Sequence, residues 1–278
     1  MQIHTDYDQK IRILATDLDG TLLTSSKTVT SYTRDVLISA QQKGLTLILA
    51  SGRPLYSILP FAQQLEMQKY GGYIIAYNGS LVYDCAASRV LKEKTISPSL
   101  VSELAAAVPR EHFRLHGYKD NTIVVRDTPN EWSTYIANAN KMPLLETEDF
   151  LNVVTDPQHK CLVTGSPRKL WHLERRINRH FSSVLAAYRS ESFLLEIVPK
   201  GVNKATELKD LLERLDCSEE SLLCCGDGYN DIDMMRLAGI SCATRNAKRP
   251  VKQVASYVTE SNDRDGVALA LERFCSLT

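Results

Sequence analysis

The chain lacks an excess of charge of either sign: 33 basic residues stand against 33 acidic ones among 278, a formal net charge of zero. Binding that rests on neutralising many nucleic-acid phosphates or an anionic membrane surface needs a surplus of lysine and arginine. Neither nucleic acid nor membrane is therefore expected as a partner, while a local basic pocket for one small anion stays open. Long hydrophobic runs are missing too. No stretch approaches the ~18 apolar residues of a membrane span. The opening MQIHTDYDQKIRILATDLDG has no basic segment leading into an apolar one, as a secretory leader would. A cytoplasmic protein is expected. Cysteine is present but unpatterned: positions 85, 161, 217, 224, 225, 242 and 275 form an odd set without a CxxC. That is neither a disulfide framework nor zinc spacing, and it reads as small apolar core residues in a reducing compartment.

What is present describes an ordinary globular protein, with 44% hydrophobic and 24% charged residues. At ~150 residues per domain the length allows one large domain or two ordinary ones. The apolar runs IRILATD (11–17), LTLILAS (45–51) and GYIIAYN (72–78) alternate with helical patterns around TSYTRDVLISAQQKG and LYSILPFAQQLEM. This alternation predicts a parallel sheet with helical crossovers. The first two runs are nearly continuous in apolar residues, as expected of strands covered on both faces. The same grammar returns in NKATELKDLLERL, SLLCCGD (221–227), NDIDMMRLAG, ISCAT, SYVTE and DGVALALERF. Between them, residues 82 to about 190 read as strands meeting by short turns plus a few helices, an α+β insert.

The polar residues at the predicted strand ends carry the chemistry. The first strand runs into Asp17-Leu18-Asp19-Gly20-Thr21. Positions two apart on a strand share a side, so both carboxylates can face one pocket beyond the carboxyl end of the sheet, where open parallel sheets bind ligands. Two acids this close repel unless a cation or a shared proton relieves them, and Mg²⁺ is the natural hard cation. The second strand ends in Ser51-Gly52-Arg53-Pro54, a hydroxyl and an amide suited either to phosphate oxygens or to an ordinary helix cap. A later strand ends in Gly226-Asp227-Gly228-Tyr229-Asn230-Asp231, a third acidic turn opening a helix. Lys204 leads the helix that feeds it.

Taken together these pieces resemble the haloacid dehalogenase superfamily, specifically Cof-type phosphatases with a large α+β cap. The matching motifs are Asp17 to Leu22, Ser51-Gly52-Arg53, Asn78-Gly79, Leu195-Glu196-Ile197 with Gly201 to Lys204, Gly226 to Asp231 with Met234, and Ser261-Asn262-Asp263 with Asp265-Gly266-Val267. They stand in the family's order over nearly the whole chain. The family commonly has Ala-Met-Gly-Asn-Ala where this chain has Ala243-Thr244-Arg245-Asn246-Ala247, so the shape of that loop is the one open point in the match.

The resemblance implies an α/β fold: a Rossmann-like parallel-sheet core (1–82 and 190–278) with an inserted α+β cap (83–189) that closes over the core and selects the leaving group. It implies a Mg²⁺-dependent phosphatase of small phosphomonoesters, such as sugar phosphates or phosphorylated cofactors, working through an aspartyl-phosphate. A phosphotransferase or mutase on the same scaffold, or a phospho-acceptor module, are the alternatives. Asp17 is the implied nucleophile and Asp19 the acid and base. Asp17, the Asp19 carbonyl and Asp227 are the implied metal ligands. Leu18, Ser51, Gly52, Lys204 and Asn230 are implied to hold phosphate, with Thr21 and Asp231 in support. Arg53, Asn78 and His116 are substrate candidates, with Tyr118, Arg126 and Arg189 as further polar cap residues. His172 and His180 lack paired-ligand spacing, and Trp132 and Trp171 read as packing residues. A small phosphorylated metabolite is the expected partner, and a monomer or homodimer the expected state.

Overall fold

The computed structural model describes residues 11–275. The first ten residues, on which the leader reading partly falls, and the last three lie outside the described residues. The chain divides into two compact units, one formed by the segments up to Lys92 and from Asn203, the other by Glu93–Val202. In chain order the strands are β1 (Ile13–Thr16), β2 (Thr46–Ala50), β3 (Tyr73–Ala76), β4 (Leu81–Asp84), β5 (Arg89–Glu93), β6 (Phe113–Lys119) and β7 (Thr122–Arg126). They continue with β8 (Leu144–Thr147), β9 (Cys161–Gly165), β10 (Leu185–Glu191), β11 (Leu194–Pro199), β12 (Leu222–Gly226), β13 (Ile240–Ala243) and β14 (Tyr257–Val258).

The first unit holds an eight-stranded sheet in the order β14-β13-β12-β1-β2-β3-β4-β5. β1 lies parallel between β12 and β2, with Thr16 opposite both Cys225 and Leu49. The carboxyl ends of these strands therefore emerge side by side, and the residues that follow them share one edge. Both β1 and β12 are buried along their whole length, as their apolar runs require of strands covered on both faces. Two helices anchor this edge by side-chain caps. Thr30 accepts from the Thr33 amide ahead of helix Ser31–Gln42, and Asn203 accepts from the Thr206 amide ahead of helix Lys204–Arg214.

The insert is expected to open at about residue 82, but β4 and β5 instead extend the first sheet. Only Tyr77–Ser80 separate β3 from β4, a connection too short for anything but an antiparallel neighbour. At the other end β10 and β11 form a hairpin, and β11 also pairs with β9. The second unit therefore runs 93–202 where 83–189 was expected. Its six-stranded sheet has the order β10-β11-β9-β6-β7-β8, antiparallel except where β8 joins β7. Leu170, Leu173 and Ile177 of helix Pro167–His180 pack with Phe113, Leu115, Val163 and Ile197 in its core. Helix Glu131–Asn140 was not foreseen, although Asn130 and Ser133 form a reciprocal cap at its start.

All seven cysteines are free; five are buried, and Cys217 and Cys275 are half-buried. Among the described residues, no helix is long and apolar enough to cross a membrane.

Candidate active site

Asp17 follows β1 directly and is buried, its amide donating to the Cys225 carbonyl at 3.0 Å. Lys204, first residue of its helix, is 1% exposed, and its ammonium donates to Asp17 Oδ1 at 2.6 Å and to Asp231 Oδ1 at 2.7 Å. The other Asp231 oxygen accepts from the amides of Asp227 (3.0 Å) and Gly228 (2.8 Å). Asp231 is thus fixed on both sides and holds the Asp227 turn in place. Two glycines make this closeness possible. A Cβ at Gly226 would stand 2.6 Å from the Asp231 Cβ, and one at Gly20 would stand 2.5 Å from Asp227 Oδ2. Gly20 also has φ +80°, a region that other residues rarely adopt.

The electrostatics follow from this crowding. Burial pushes the Asp17 carboxyl well above its ordinary value; Lys204 pulls it back, and Asp231 and Asp227 raise it further. Asp227 is raised to about 6, by burial first and then by Asp231. Burial works against the Lys204 charge, but Asp17 and Asp231 outweigh it and hold the ammonium above its usual range. Asp17, Asp227 and Asp231 each bring an oxygen within 4.8 Å of the others, and the one ammonium among them pairs with only Asp17 and Asp231. A hard cation fits that surplus. Because both Asp231 oxygens already accept hydrogen bonds, the free oxygens of Asp17 and Asp227 are the ones suited to a metal.

The Asp19 carboxylate is not part of this group. Arg53 grips it with two donors, Nε to Oδ2 at 2.6 Å and Nη2 to Oδ1 at 2.7 Å, and Lys27 Nζ reaches Oδ1 at 2.6 Å. Burial opposes its charge, but Arg53 and then Lys27 hold it below its ordinary value. Lys27 was not foreseen. It sits at φ 59° in the Thr24–Thr28 turn, and nothing in TSSKT marks it as a partner for an acid eight residues earlier.

Ser51, at the end of β2, is buried, and its hydroxyl accepts from the Arg53 amide at 3.1 Å. Leu18 buries its side chain, while its carbonyl accepts from the Thr21 and Leu23 amides and so closes the turn. Thr21 Oγ1 donates to Asp227 Oδ1 at 3.2 Å. Asn78, in the left-handed region at φ 59°, accepts from Asn230 Nδ2 at 3.0 Å and lies against Gly52. The acids, Ser51, Asn78, Asn230 and Lys204 thus gather at one edge of the first unit, whereas Leu195-Glu196-Ile197 of the expected core lie on β11 in the second.

The candidates in the second unit fare differently. His116 is fully buried between Ser133 Oγ (2.9 Å) and the Leu162 carbonyl (3.3 Å), so it does not reach a ligand and is withdrawn as a substrate residue. Arg126 is likewise buried, donating at 2.7 Å to the Ala105 and Val108 carbonyls at the end of helix Pro98–Ala107. Tyr118 is buried, and Arg189 pairs with Glu174 at 2.8 Å. Trp132 stacks on Phe193 as a packing residue, whereas Trp171 is 41% exposed with Arg175 over its ring. His172 and His180 are exposed.

Comparison with known proteins places this geometry. A haloacid dehalogenase-like hydrolase of Bacteroides thetaiotaomicron of known crystal structure is 38% identical, with a TM-score of 0.90 over 95% of this chain and 99% of that one. The 5-amino-6-(5-phospho-D-ribitylamino)uracil phosphatase YcsE of Bacillus subtilis is 27% identical over 96% of this chain and 97% of its own. The pyridoxal phosphate phosphatase YbhA of Escherichia coli is 28% identical over 92% and 96%. The family model of the haloacid dehalogenase-like hydrolases matches residues 14–271. With acids, hydroxyl and lysine gathered at one sheet edge in that family's order, the chain belongs to the haloacid dehalogenase-like hydrolases, among the Cof-type phosphatases.

Proposed function

We propose that the protein hydrolyses small phosphomonoesters with Mg²⁺ by way of an aspartyl-phosphate on Asp17. The observation that carries this reading is the Lys204 ammonium between Asp17 and Asp231, with an Asp227 oxygen in the same group. The free Asp17 oxygen attacks phosphorus as the bond to the leaving oxygen breaks, and Asp19 gives that oxygen a proton. Water then attacks the aspartyl-phosphate while Asp19 takes its proton back, which divides one hard displacement into two. Held ionised by Arg53 and Lys27, Asp19 stands in the form that accepts a proton from water. Its acid step requires an oxygen freed from these cations: the Lys27 pair, about 40% exposed on both sides, loosens at little cost, and one of the two Arg53 bonds must give way as well.

Lys204, Ser51, Asn230 and the Leu18 and Gly52 amides are assigned to the phosphate oxygens, where phosphoryl transfer concentrates charge. Mg²⁺ held by the free oxygens of Asp17 and Asp227 and by the Asp19 carbonyl would supply Lewis-acid neutralisation of the phosphate. Selection of the leaving group falls to the 93–202 unit. The named substrates of YcsE and YbhA support sugar-like phosphates and phosphorylated cofactors as the class.

The test is phosphate release by purified protein over sugar phosphates, nucleotides, pyridoxal phosphate and flavin mononucleotide, with Mg²⁺ or with EDTA. Release that needs the metal is expected. Label passed to a second sugar hydroxyl instead of water would make the protein a transferase. Release that continues unchanged in EDTA would remove the metal from the reading.

A further inference from the structure

The segment that departs from the family's usual run follows β13, and its polar groups converge on the two acid-bearing turns. Thr244, fully buried, donates its hydroxyl to the Gly20 carbonyl at 3.2 Å, and Asn246 Nδ2 donates to the same oxygen at 2.7 Å. Two donors occupy both lone pairs of that carbonyl. From the same segment the Thr244 amide donates to the Gly226 carbonyl (3.3 Å) and the Lys248 amide to the Asp227 carbonyl (3.1 Å). Asn246 is itself held, its Oδ1 accepting from the Asn262 amide at 3.0 Å, and Asn262 Nδ2 donates to the Leu23 carbonyl at 2.9 Å. Arg245 points elsewhere. It is exposed, and its guanidinium pairs with Glu260 at 2.8 Å. Of the two departures from the family run, the hydroxyl enters the turn and the guanidinium leaves it.

We propose that residues 244–248 form a clamp that fixes the spacing between the Asp17–Gly20 turn and Asp227, with Thr244 and Asn246 as positioning residues for the divalent-cation site. The inference rests on the reading of Asp17 and Asp227 as Mg²⁺ ligands. The physical need is clear from the charges: neighbouring carboxylates repel, and the turn between them hinges on a glycine, the residue least able to resist that repulsion. Mg²⁺ tolerates little departure from octahedral spacing, so a turn that relaxes outward weakens it. Partners one step behind metal ligands typically carry ~10- to 100-fold in affinity.

The experiment is calorimetric titration of the full chain with Mg²⁺ in the absence of substrate, for the wild type, Thr244→Val, Thr244→Ser and Arg245→Ala. Valine keeps the shape and removes the donor, so Thr244→Val is expected to weaken Mg²⁺ about 10-fold, with serine restoring it and Arg245→Ala matching wild type. At a fixed Mg²⁺ concentration below saturation, Thr244→Val lowers kcat and leaves the substrate KM unchanged. Should the valine variant fail to fold, Asn246→Ser, on the exposed side of the loop, carries the same test. Wild-type affinity in the folded donor-deleted variants would overturn the clamp while leaving the Mg²⁺ reading standing. A wild type that binds no Mg²⁺ would overturn both.

Discussion

Both units bury polar and charged side chains, yet they balance the charges differently. In the 93–202 unit the largest of these groups are held mainly by their neighbours. His116 lies between Ser133 and Leu162, and Arg126 holds two carbonyls. Gln158 exchanges bonds with the Tyr118 backbone, and Lys160 faces Glu196 at 3.1 Å. In the other unit, three acids gather at the carboxyl ends of β1 and β12 with one ammonium bonded to two of them, and oxygens of Asp17 and Asp227 are left over. Burial marks both regions. What separates the two regions is a surplus of one charge after local pairing, which a bound cation or a retained proton can offset.

The sharpest way to break this comparison is to remove the surplus. Asp17→Asn deletes the proposed nucleophile and relieves repulsion in the same stroke, so phosphate release should fall at least ~10³-fold while thermal unfolding shows an intact fold. Near wild-type turnover would remove the nucleophile assignment. Next come two lysines. Lys204→Met leaves Asp17 and Asp231 buried without their cation, so a loss of about 3–5 kcal/mol in stability is expected, with ~10²- to 10³-fold in rate. Lys160→Met breaks a pair of similar burial in the second unit, with side chains 6% and 9% exposed. It should cost about 3 kcal/mol and leave kcat of the folded protein unchanged. Denaturant unfolding and steady-state kinetics on both variants separate the two outcomes. Equal effects on kcat would erase the distinction between the units.

Much of the first unit was legible in the sequence because its signals are local. Apolar runs of five to seven residues fall within or just around β1, β2 and β12, and each acid or hydroxyl that matters stands within a few residues of a strand end. The order of strands was less legible. β4 reads like the start of an insert, and only the four residues before it reveal that it must fold back onto β3. Lys27 and Arg53 converge on Asp19 from different loops, a coincidence of fold that no spacing encodes. The second unit hid its polar residues for a related reason. Along β6 the sequence FRLHGYK gives His116 no mark of burial, because its partners Ser133 and Leu162 come from elements far along the chain.

That burial gives the smallest effect and the finest test of the comparison. Burial lowers the His116 pKa to about 4, its bonds to backbone carbonyls offsetting only part of the cost of charging the ring. In the unfolded chain it titrates near ~6.5. Between those values the unfolded state binds more protons than the folded one, so stability falls as pH falls through this window and is unaffected above it. The slope is at most about 1.4 kcal/mol per pH unit and half that at pH 6.5, which integrates to about 1.6 kcal/mol between pH 6.5 and 5. Asp227, raised to about 6, runs the opposite way, since the folded state holds its proton more tightly. That contribution is common to the wild type and a His116→Gln variant, so it cancels when their urea midpoints are compared at the two pH values. Glutamine can still hydrogen-bond but cannot titrate. The wild type should therefore lose about 1.6 kcal/mol more than the variant on acidification. Parallel losses would mean that His116 takes up its proton without leaving the fold, and that the second unit, like the first, keeps a charge site open.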